Sequence, residues 1–254
     1  MNLDFYNWFL VFVRLGAFLL ALPFFSAVNF PPTLRVALAA FAALLLAPQL
    51  PAFSVAHLDL FSLVGLLARE ASIGLLLGFI GRLVFFAADI AGQIVATELG
   101  LNMGQIFDPS SRQADQVPGL ILFFLATLTM LALDLHHGML LGFARTFEVL
   151  PLGGGHLSSS LFELMVSRTS GIFVVALQIA APVMAVSFAI TVFFAVMGRA
   201  VPQMNVFAES FGIKIAAGLV VFGFTLQIAS QYVANQLHRL PDDLVFIGQV
   251  LNGG

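Results

Sequence analysis

Few residues of this chain are suited to acid–base or metal chemistry, and they do not form a known catalytic motif. The 254 residues contain no HExxH, Walker or GxSxG pattern. His136 and His137 are adjacent, so on a helix their side chains start about 100° apart, and we do not expect them to share a metal ion on one face. The sequence predicts no catalytic, cofactor or metal site and favours packing or capping roles for both histidines.

The other chemically distinctive residues are charged side chains that lie inside strongly apolar segments. One such segment contains Arg69, Glu70, Arg82, Asp89 and Glu98. A charge at the centre of a bilayer costs on the order of 2.5–3.5 kcal/mol, so these side chains are not expected to face lipid. Elsewhere, Arg145 and Glu148 have the spacing of a local helical pair. The embedded charges either pair within the chain or face a partner subunit or a wet channel, and the sequence leaves both alternatives open.

The composition predicts a protein embedded in a membrane or in a large apolar assembly. Apolar residues make up 60% of the chain and charged residues 9%, against about 45–50% and about 25% in ordinary soluble domains. The net charge of −3 and the lack of a basic run argue against a nucleic-acid partner. The chain has no cysteine, which excludes disulfides and thiolate sites. The start of the chain is acidic, so we expect an uncleaved hydrophobic helix rather than a signal peptide.

Hydrophobic runs and helix-breaking residues predict about six helical tracts in an all-α membrane protein. The tracts are Leu3–Leu22, a segment that starts after Pro31-Pro32 and ends before Pro48, Ser62–Leu99, Gln116–Val149, Ser160–Met197 and Val206–His238, with a short mixed tail from Arg239. The third tract would be more than about 50 Å long, beyond the roughly 30 Å of a bilayer core. We expect it to be bent, broken or partly outside lipid. Without a linker or internal repeat, residues 1–254 are predicted to form a single helical unit.

Small residues at four-residue spacing predict close helix packing in the third tract. Gly74 and Gly78 form one such pair, and Gly92 and Gly100 belong to a second run of small residues. Small side chains allow another backbone to approach and are common where membrane helices meet. The partner is either intramolecular or another subunit.

The connection after the third tract is unusually apolar for a loop. It contains Leu101, Met103, Ile106 and Phe107, and Gly100 and Gly104 would allow it to move. Apolar and deformable side chains can close a narrow opening without a preference for any sequence, and they resist ions by dewetting. The loop is therefore a candidate channel plug, and a packed connection is the alternative.

A second distinctive segment separates the fifth and sixth tracts. Pro202 is expected to break the helix, and Asn205 is a plausible N-cap for the helix that follows. Together with Arg199 and Gln203, they bring polar groups to a helix break, where freed backbone groups need partners. We predict a role for these four residues in the helix break and in assembly.

The sequence resembles the FliR/SctT family of type III export proteins over nearly its whole length. The most specific segment is 199–207, which is followed by Gly212-Ile213-Lys214-Ile215. Further matches are Arg14-Leu15-Gly16, the proline turn before Arg35, residues 70–78, Ala91-Gly92, Gly100, Asp108-Pro109 and His137-Gly138. Ala208-Glu209-Ser210 is more polar than the family pattern. Flagellar FliR and the injectisome protein SctT therefore both remain possible.

The resemblance implies a structural subunit rather than an enzyme. Family members form tilted helical hairpins within a hetero-oligomeric gate together with FliP and FliQ, near FlhB and FlhA. This gate passes unfolded flagellar proteins at the basal body in the bacterial inner membrane, and the loop at Leu101–Phe107 corresponds to its constriction. Membrane lipid is a further partner. A small-molecule transporter is the alternative from a different class, which matched helix breaks in two halves would favour.

Overall fold

The computed structural model of the chain describes residues 4–26, 30–53, 59–102, 117–156, 158–201, 203 and 205–253. Every regular element in these ranges is helical, which confirms the predicted all-α class. The α-helices are α1 (Phe5–Ala21), α2 (Pro23–Ser26), α3 (Pro32–Leu46), α4 (Leu60–Glu98), α5 (Val117–Ala132), α6 (Leu135–Val149), α7 (Ser159–Ala200) and α8 (Val206–Leu251). A short 3-10 helix, Ala47–Gln49, follows α3.

The helix ends have local causes that can be read from the sequence. α1 starts after Asp4, whose Oδ1 accepts a hydrogen bond from the amide of Tyr6 at 3.2 Å. α3 begins with Pro32, which needs no amide partner at that position. α4 ends in a Schellman motif, in which Leu101 N–H donates to Ala96 O and Gly100 N–H donates to Thr97 O. Gly100 has φ +71°, the left-handed conformation that this motif requires.

Two of the predicted tract boundaries were wrong. The fourth tract is not one helix, because it breaks at Leu133 and Asp134, and Asp134 has φ 52°. A left-handed residue cannot continue a right-handed helix. The sixth tract does not end at His238, since α8 continues through Pro241 to Leu251. Gly142 on α6 lies opposite this proline, and a Cβ at Gly142 would be 2.7 Å from Pro241 Cα.

The residues cluster into two compact units, each with its own core. The first unit comprises Met1–Leu83, Asp134–Arg168 and Leu237–Gly254. Its buried side chains are large and include Phe18, Leu77, Phe143 and Leu244. The rings of Phe18 and Phe143 pack with centroids 4.7 Å apart. The prediction of a single unit over 1–254 stays a prediction.

The second unit comprises Val84–Leu133 and Thr169–Gln236. Its core contains many small residues, among them Ala88, Ala91, Ala176, Ala180 and Ala229. Small side chains allow long helices to approach closely over several turns. Outward-facing positions carry large apolar side chains instead, including Phe188, Phe193 and Phe224, which are exposed.

Within the described residues, four helices are long and apolar enough to cross a membrane, or five if the broken pair α5–α6 counts as one span. The four are Pro32–Gln49, Leu60–Glu98, Ser159–Ala200 and Ala208–Leu251. The length and composition of these segments support a membrane protein. Their exposed apolar surface belongs in contact with lipid or with other apolar helices.

Candidate functional site

A fully buried ion pair lies at the centre of the first unit. Arg14 on α1 donates from Nε to Glu70 Oε2 at 2.5 Å and from Nη2 to Glu70 Oε1 at 3.1 Å. Both side chains have 0% exposure. The paired, two-bond geometry is the strongest that a guanidinium and a carboxylate can form. It is also the geometry that a pair removed from water requires to offset desolvation.

Further hydrogen bonds join the pair to the turn that follows α6. Arg14 Nη1 donates to Leu150 O at 2.9 Å, and Nη2 donates to Pro151 O at 3.3 Å. The backbone N–H of Gly153 donates to Glu70 Oε1 at 2.8 Å. The Arg14 guanidinium also lies 4.4 Å from the ring centroid of Phe147. The pair therefore joins α1 and α4 to this turn.

Gly153 has to be a glycine on two grounds. Its φ is +74°, and a Cβ at this position would lie 2.8 Å from the ring of Phe53. Its carbonyl accepts a hydrogen bond from Arg69 Nη1 at 2.8 Å. Two adjacent charged residues of α4, Arg69 and Glu70, therefore both bind this turn.

These contacts decide part of the question that the sequence left open about embedded charges. Arg69 and Glu70 bind within the chain, and Asp89 accepts a hydrogen bond from Gln93 Nε2 at 3.0 Å. The local pairing suggested for Arg145 and Glu148 was wrong, since these two described residues form no ion pair within 4 Å. The sequence singled out Glu70 but missed Arg14 as its partner, because 56 residues separate them.

The predicted packing glycines Gly74 and Gly78 lie where α4 meets α1. A Cβ at Gly74 would be 2.1 Å from Arg14 O, and one at Gly78 would be 2.5 Å from Phe18 O. No side chain fits at these distances. These glycines let α4 approach α1 closely enough for Glu70, one turn before Gly74, to reach Arg14.

In the second unit, Gly92 makes a comparable contact with α5. A Cβ at Gly92 would be 2.2 Å from the Cα of Gly119, so the two helices touch backbone to backbone. Gly100, predicted to belong to the same packing run, instead caps the end of α4. A third close contact involves Gly218 on α8, where a Cβ would be 2.0 Å from a methyl group of Leu99.

The candidate plug lies mostly outside the described residues. Met103, Ile106 and Phe107 fall in the range 103–116, so their predicted role stays a prediction. Leu101 is described; it is half-buried and packs against the core of the second unit. The described part of the plug candidate is thus one packed leucine, directly after the capped end of α4.

The polar side chains described at the junction between α7 and α8 are exposed. α8 begins at Val206, and Asn205 Oδ1 accepts a hydrogen bond from the N–H of Ala208 at 3.3 Å, the arrangement of an N-cap. Arg199, Gln203 and Asn205 are all exposed, whereas Pro202 lies outside the described residues.

Beside this junction lies a cavity of about 490 Å³. Its lining combines the end of α4, the C-terminal turns of α7 and the first turns of α8, with Glu98 and Lys214 as its charged residues. The cavity therefore lies next to both predicted sites of the second unit, the start of the apolar loop and the α7–α8 junction. Lys214 belongs to the segment Gly212–Ile215 that carries part of the family resemblance.

The two histidines depart from the expectation based on Cβ directions. The rings of His136 and His137 lie with centroids 4.1 Å apart, and one nitrogen of each lies within 4.8 Å of the other and of an Asp134 carboxylate oxygen. Residues in the first turn of a helix are free of a preceding turn, so their side chains can rotate towards each other.

The architecture is that of an all-α membrane protein, with long apolar helices joined by close glycine contacts and one deeply buried ion pair. The family model "Bacterial export proteins, family 1" matches residues 5–240. The chain belongs to this family, which confirms its resemblance to FliR and SctT. Proteins of this family are structural components of the export apparatus, and the family is not a known enzyme family.

Individual relatives agree with the family match over most of their length. The chain is 29% identical over 251 residues to the flagellar biosynthetic protein FliR of Pectobacterium carotovorum, covering 96% of this chain and 95% of the relative. It is 27% identical over 229 residues to FliR of Bacillus subtilis, covering 89% and 88%. It is 26% identical to the Yop proteins translocation protein T of Yersinia pestis, over 181 residues and 68% of each chain.

Proposed function

We propose that this chain is a channel-forming subunit of the flagellar type III protein export gate in the bacterial inner membrane. The observation that carries the proposal is the nearly full-length match to relatives named as flagellar FliR proteins, 95% of one such relative being covered. The match to the injectisome-type translocation protein covers only 68% of each chain. The longer match favours the flagellar system over the injectisome.

In this role the chain is a structural subunit that assembles with FliP and FliQ, close to FlhB and FlhA. Its exposed apolar side chains on α7 and α8, such as Phe188 and Phe224, support burial against other helices or lipid. The buried Arg14–Glu70 pair supports a rigid structural role, because neither side chain is accessible to a substrate. The cargo is unfolded flagellar protein in transit.

The assembly proposal is tested by co-purification from a flagellated host that lacks its own FliR. The chain carries a tag and replaces the missing protein, and we expect FliP and FliQ to elute with it and motility to return. Glu70→Gln is expected to reduce both, whereas Glu163→Gln, an exposed glutamate in the same unit, serves as the matched control. A stable homo-oligomer that elutes without FliP and FliQ would support the small-molecule transporter instead.

Within this gate, the apolar segment after α4 is proposed to be the plug. Leu101 packs on the core of the second unit, so the plug itself is assigned to Met103, Ile106 and Phe107. Replacing these three residues with serine leaves Leu101 in place and keeps the loop length unchanged. The expected result is an assembled gate that leaks ions across the inner membrane, because polar side chains no longer exclude water. An assembled gate that remains tight would support a packed connection.

The α7–α8 junction is proposed to contribute to assembly through its exposed polar residues. Arg199, Gln203 and Asn205 are accessible in the chain, so that a neighbouring subunit can bind them. Gln203→Ala is expected to reduce the yield of the complex with FliP and FliQ and to leave the stability of the purified chain unchanged. Equal yields of the complex from the variant and the parent chain would show that the junction does not contribute to the interface through Gln203.

A further inference from the structure

Three potential metal ligands converge at the start of α6. Asp134 precedes the helix, and His136 and His137 lie in its first turn. One carboxylate oxygen of Asp134 and one ring nitrogen of each histidine all lie within 4.8 Å of one another. Asp134 Oδ1 and His137 Nδ1 are 3.6 Å apart, which is too long for a hydrogen bond.

The backbone before α6 explains why these side chains converge. Asp134 is the one residue other than glycine, among those described, that has a positive φ. It occupies the N-cap position, yet its carboxylate makes no capping hydrogen bond. An aspartate at an N-cap ordinarily accepts a bond from the first turn. Here the carboxylate is left available on the side of the two imidazole rings.

A second observation comes from His136. Its Nδ1 is buried and has no hydrogen-bond partner among the described residues. A buried polar atom without a partner is costly, so such atoms are rare in folded proteins. A metal ion bound at Nδ1 would give this atom a partner.

We infer that Asp134, His136 and His137 form a binding site for a divalent transition-metal ion. Two imidazole nitrogens and one carboxylate oxygen are ligands suited to Zn²⁺, Co²⁺ or Ni²⁺, whereas Mg²⁺ and Ca²⁺ prefer oxygen ligands throughout. Zinc bonds of about 2.0–2.2 Å place neighbouring tetrahedral ligands roughly 3.3–3.5 Å apart. The Asp134–His137 distance of 3.6 Å is already close to this value.

Asp134 and His137 can close the remaining gap by side-chain rotation at the surface. The His137 and Asp134 side chains are 67% and 79% exposed. Three protein ligands leave one tetrahedral position open to water or to a group from another subunit. The ion would hold Asp134 against the first turn of α6, the helix that carries the buried Phe143 and Phe147. The site does not depend on the proposed export function.

The test uses the purified full-length chain in detergent, with an affinity tag that contains no histidine. Co²⁺ is the probe, because its visible d–d absorption reports tetrahedral nitrogen and oxygen ligands, and Zn²⁺ should displace it. We expect one Co²⁺ per chain. Asp134→Asn and His137→Gln should each weaken binding at least about tenfold, since even second-shell changes cost 10–100-fold. Both residues are exposed, so these variants are expected to fold.

His156→Gln and His238→Gln are the matched controls, because both histidines are exposed and lie outside the cluster. They should bind Co²⁺ with unchanged affinity and spectrum. The inference is overturned if the parent chain binds less than one ion under these conditions. It is also overturned if Asp134→Asn and His137→Gln bind as well as the parent chain, or if the control variants lose binding to the same extent.

Discussion

Among the described residues, the first unit contains four buried polar side chains, Asn7, Arg14, Glu70 and Thr146, whereas the second contains two, Ser187 and Thr225. In the first unit, Arg14 and Glu70 bind residues more than 50 positions away in the chain. In the second, the buried Thr225 hydroxyl bonds within its own helix turn and the buried Ser187 hydroxyl donates to Glu98 O on another helix. The Tyr232 hydroxyl also donates to Gln178 Oε1 between α8 and α7, but this bond is exposed. Among the described residues, the fully buried network of long-range polar contacts therefore lies in the first unit.

The second unit depends instead on backbone proximity. Gly92 touches Gly119, Gly218 accommodates Leu99, and alanines fill much of the core between the helices. These contacts do not involve an ion pair, but they leave no room for a larger side chain. Both units should therefore be destabilised by a methyl group added at a close contact, such as Gly74 in the first or Gly92 in the second, whereas the loss of a buried charge should matter in the first.

The largest effect is expected for Glu70→Gln in the first unit. The amide would leave the Arg14 charge uncompensated in a fully buried site, at a cost of about 3–5 kcal/mol in the free energy of unfolding. Denaturant titration of the purified chain in detergent, followed by circular dichroism, measures this change. Glu163→Gln should change stability by less than about 0.5 kcal/mol, because its side chain is exposed.

The double substitution Arg14→Leu with Glu70→Leu separates charge from hydrogen bonding. No unpaired charge remains, so stability should recover in part relative to Glu70→Gln. It should not recover fully, because the carbonyls of Leu150 and Pro151 lose their donor. A double variant no more stable than Glu70→Gln would show that the charge is not the dominant cost.

An effect of intermediate size is expected for Gly92→Ala in the second unit. Its Cβ would lie 2.2 Å from the Gly119 backbone, so the helices must separate, at about 1–3 kcal/mol. Gly223→Ala, in a helix of the same unit with nothing within 4 Å, should stabilise the chain by up to about 1 kcal/mol. The same unfolding measurement applies to both variants. Similar changes in the two variants would contradict the dependence on close packing.

The sequence was sufficient to predict most of the helices, because proline positions and hydrophobic runs act locally. It missed the break at Asp134, since neither a glycine nor a proline marks it. It also missed the continuation of α8 through Pro241, which depends on the space that Gly142 provides from another helix. Effects of this kind arise from tertiary contacts and leave no periodic signal.

The candidate sites likewise include features that the sequence could predict and features that depend on tertiary contacts. Glycine spacing pointed to Gly74, Gly78 and Gly92 as contact points, and the N-cap at Asn205 follows from local chemistry. The Arg14–Glu70 pair and the convergence of the two histidines depend on long-range folding and on side-chain rotation. No spacing rule applied to one sequence contains that information.

A smaller effect is expected at the N-cap of α8, in the second unit. Asn205→Ala removes the oxygen that accepts from the Ala208 amide, which should cost about 1 kcal/mol because the residue is exposed. Asn205→Asp retains a capping oxygen and should be nearly neutral. Unfolding of the purified chain compares the two. A loss well above 2 kcal/mol for Asn205→Ala would mean that long-range polar contacts matter in the second unit as well.

The smallest effect is expected for a partly exposed ion pair of the first unit, Arg168 and Asp243. Its two hydrogen bonds, at 2.6 and 3.2 Å, resemble those of Arg14 and Glu70, but its side chains are 38% and 18% exposed. Water screens such a pair, so its coupling free energy should be about 0.2–1 kcal/mol and should fall with added salt. A double-mutant cycle of Arg168→Ala and Asp243→Ala at low and high salt measures this coupling. A coupling of 3 kcal/mol or more that is insensitive to salt would mean that burial does not distinguish the two pairs, and the importance of Arg14–Glu70 would then lie in its contacts with the turn after α6.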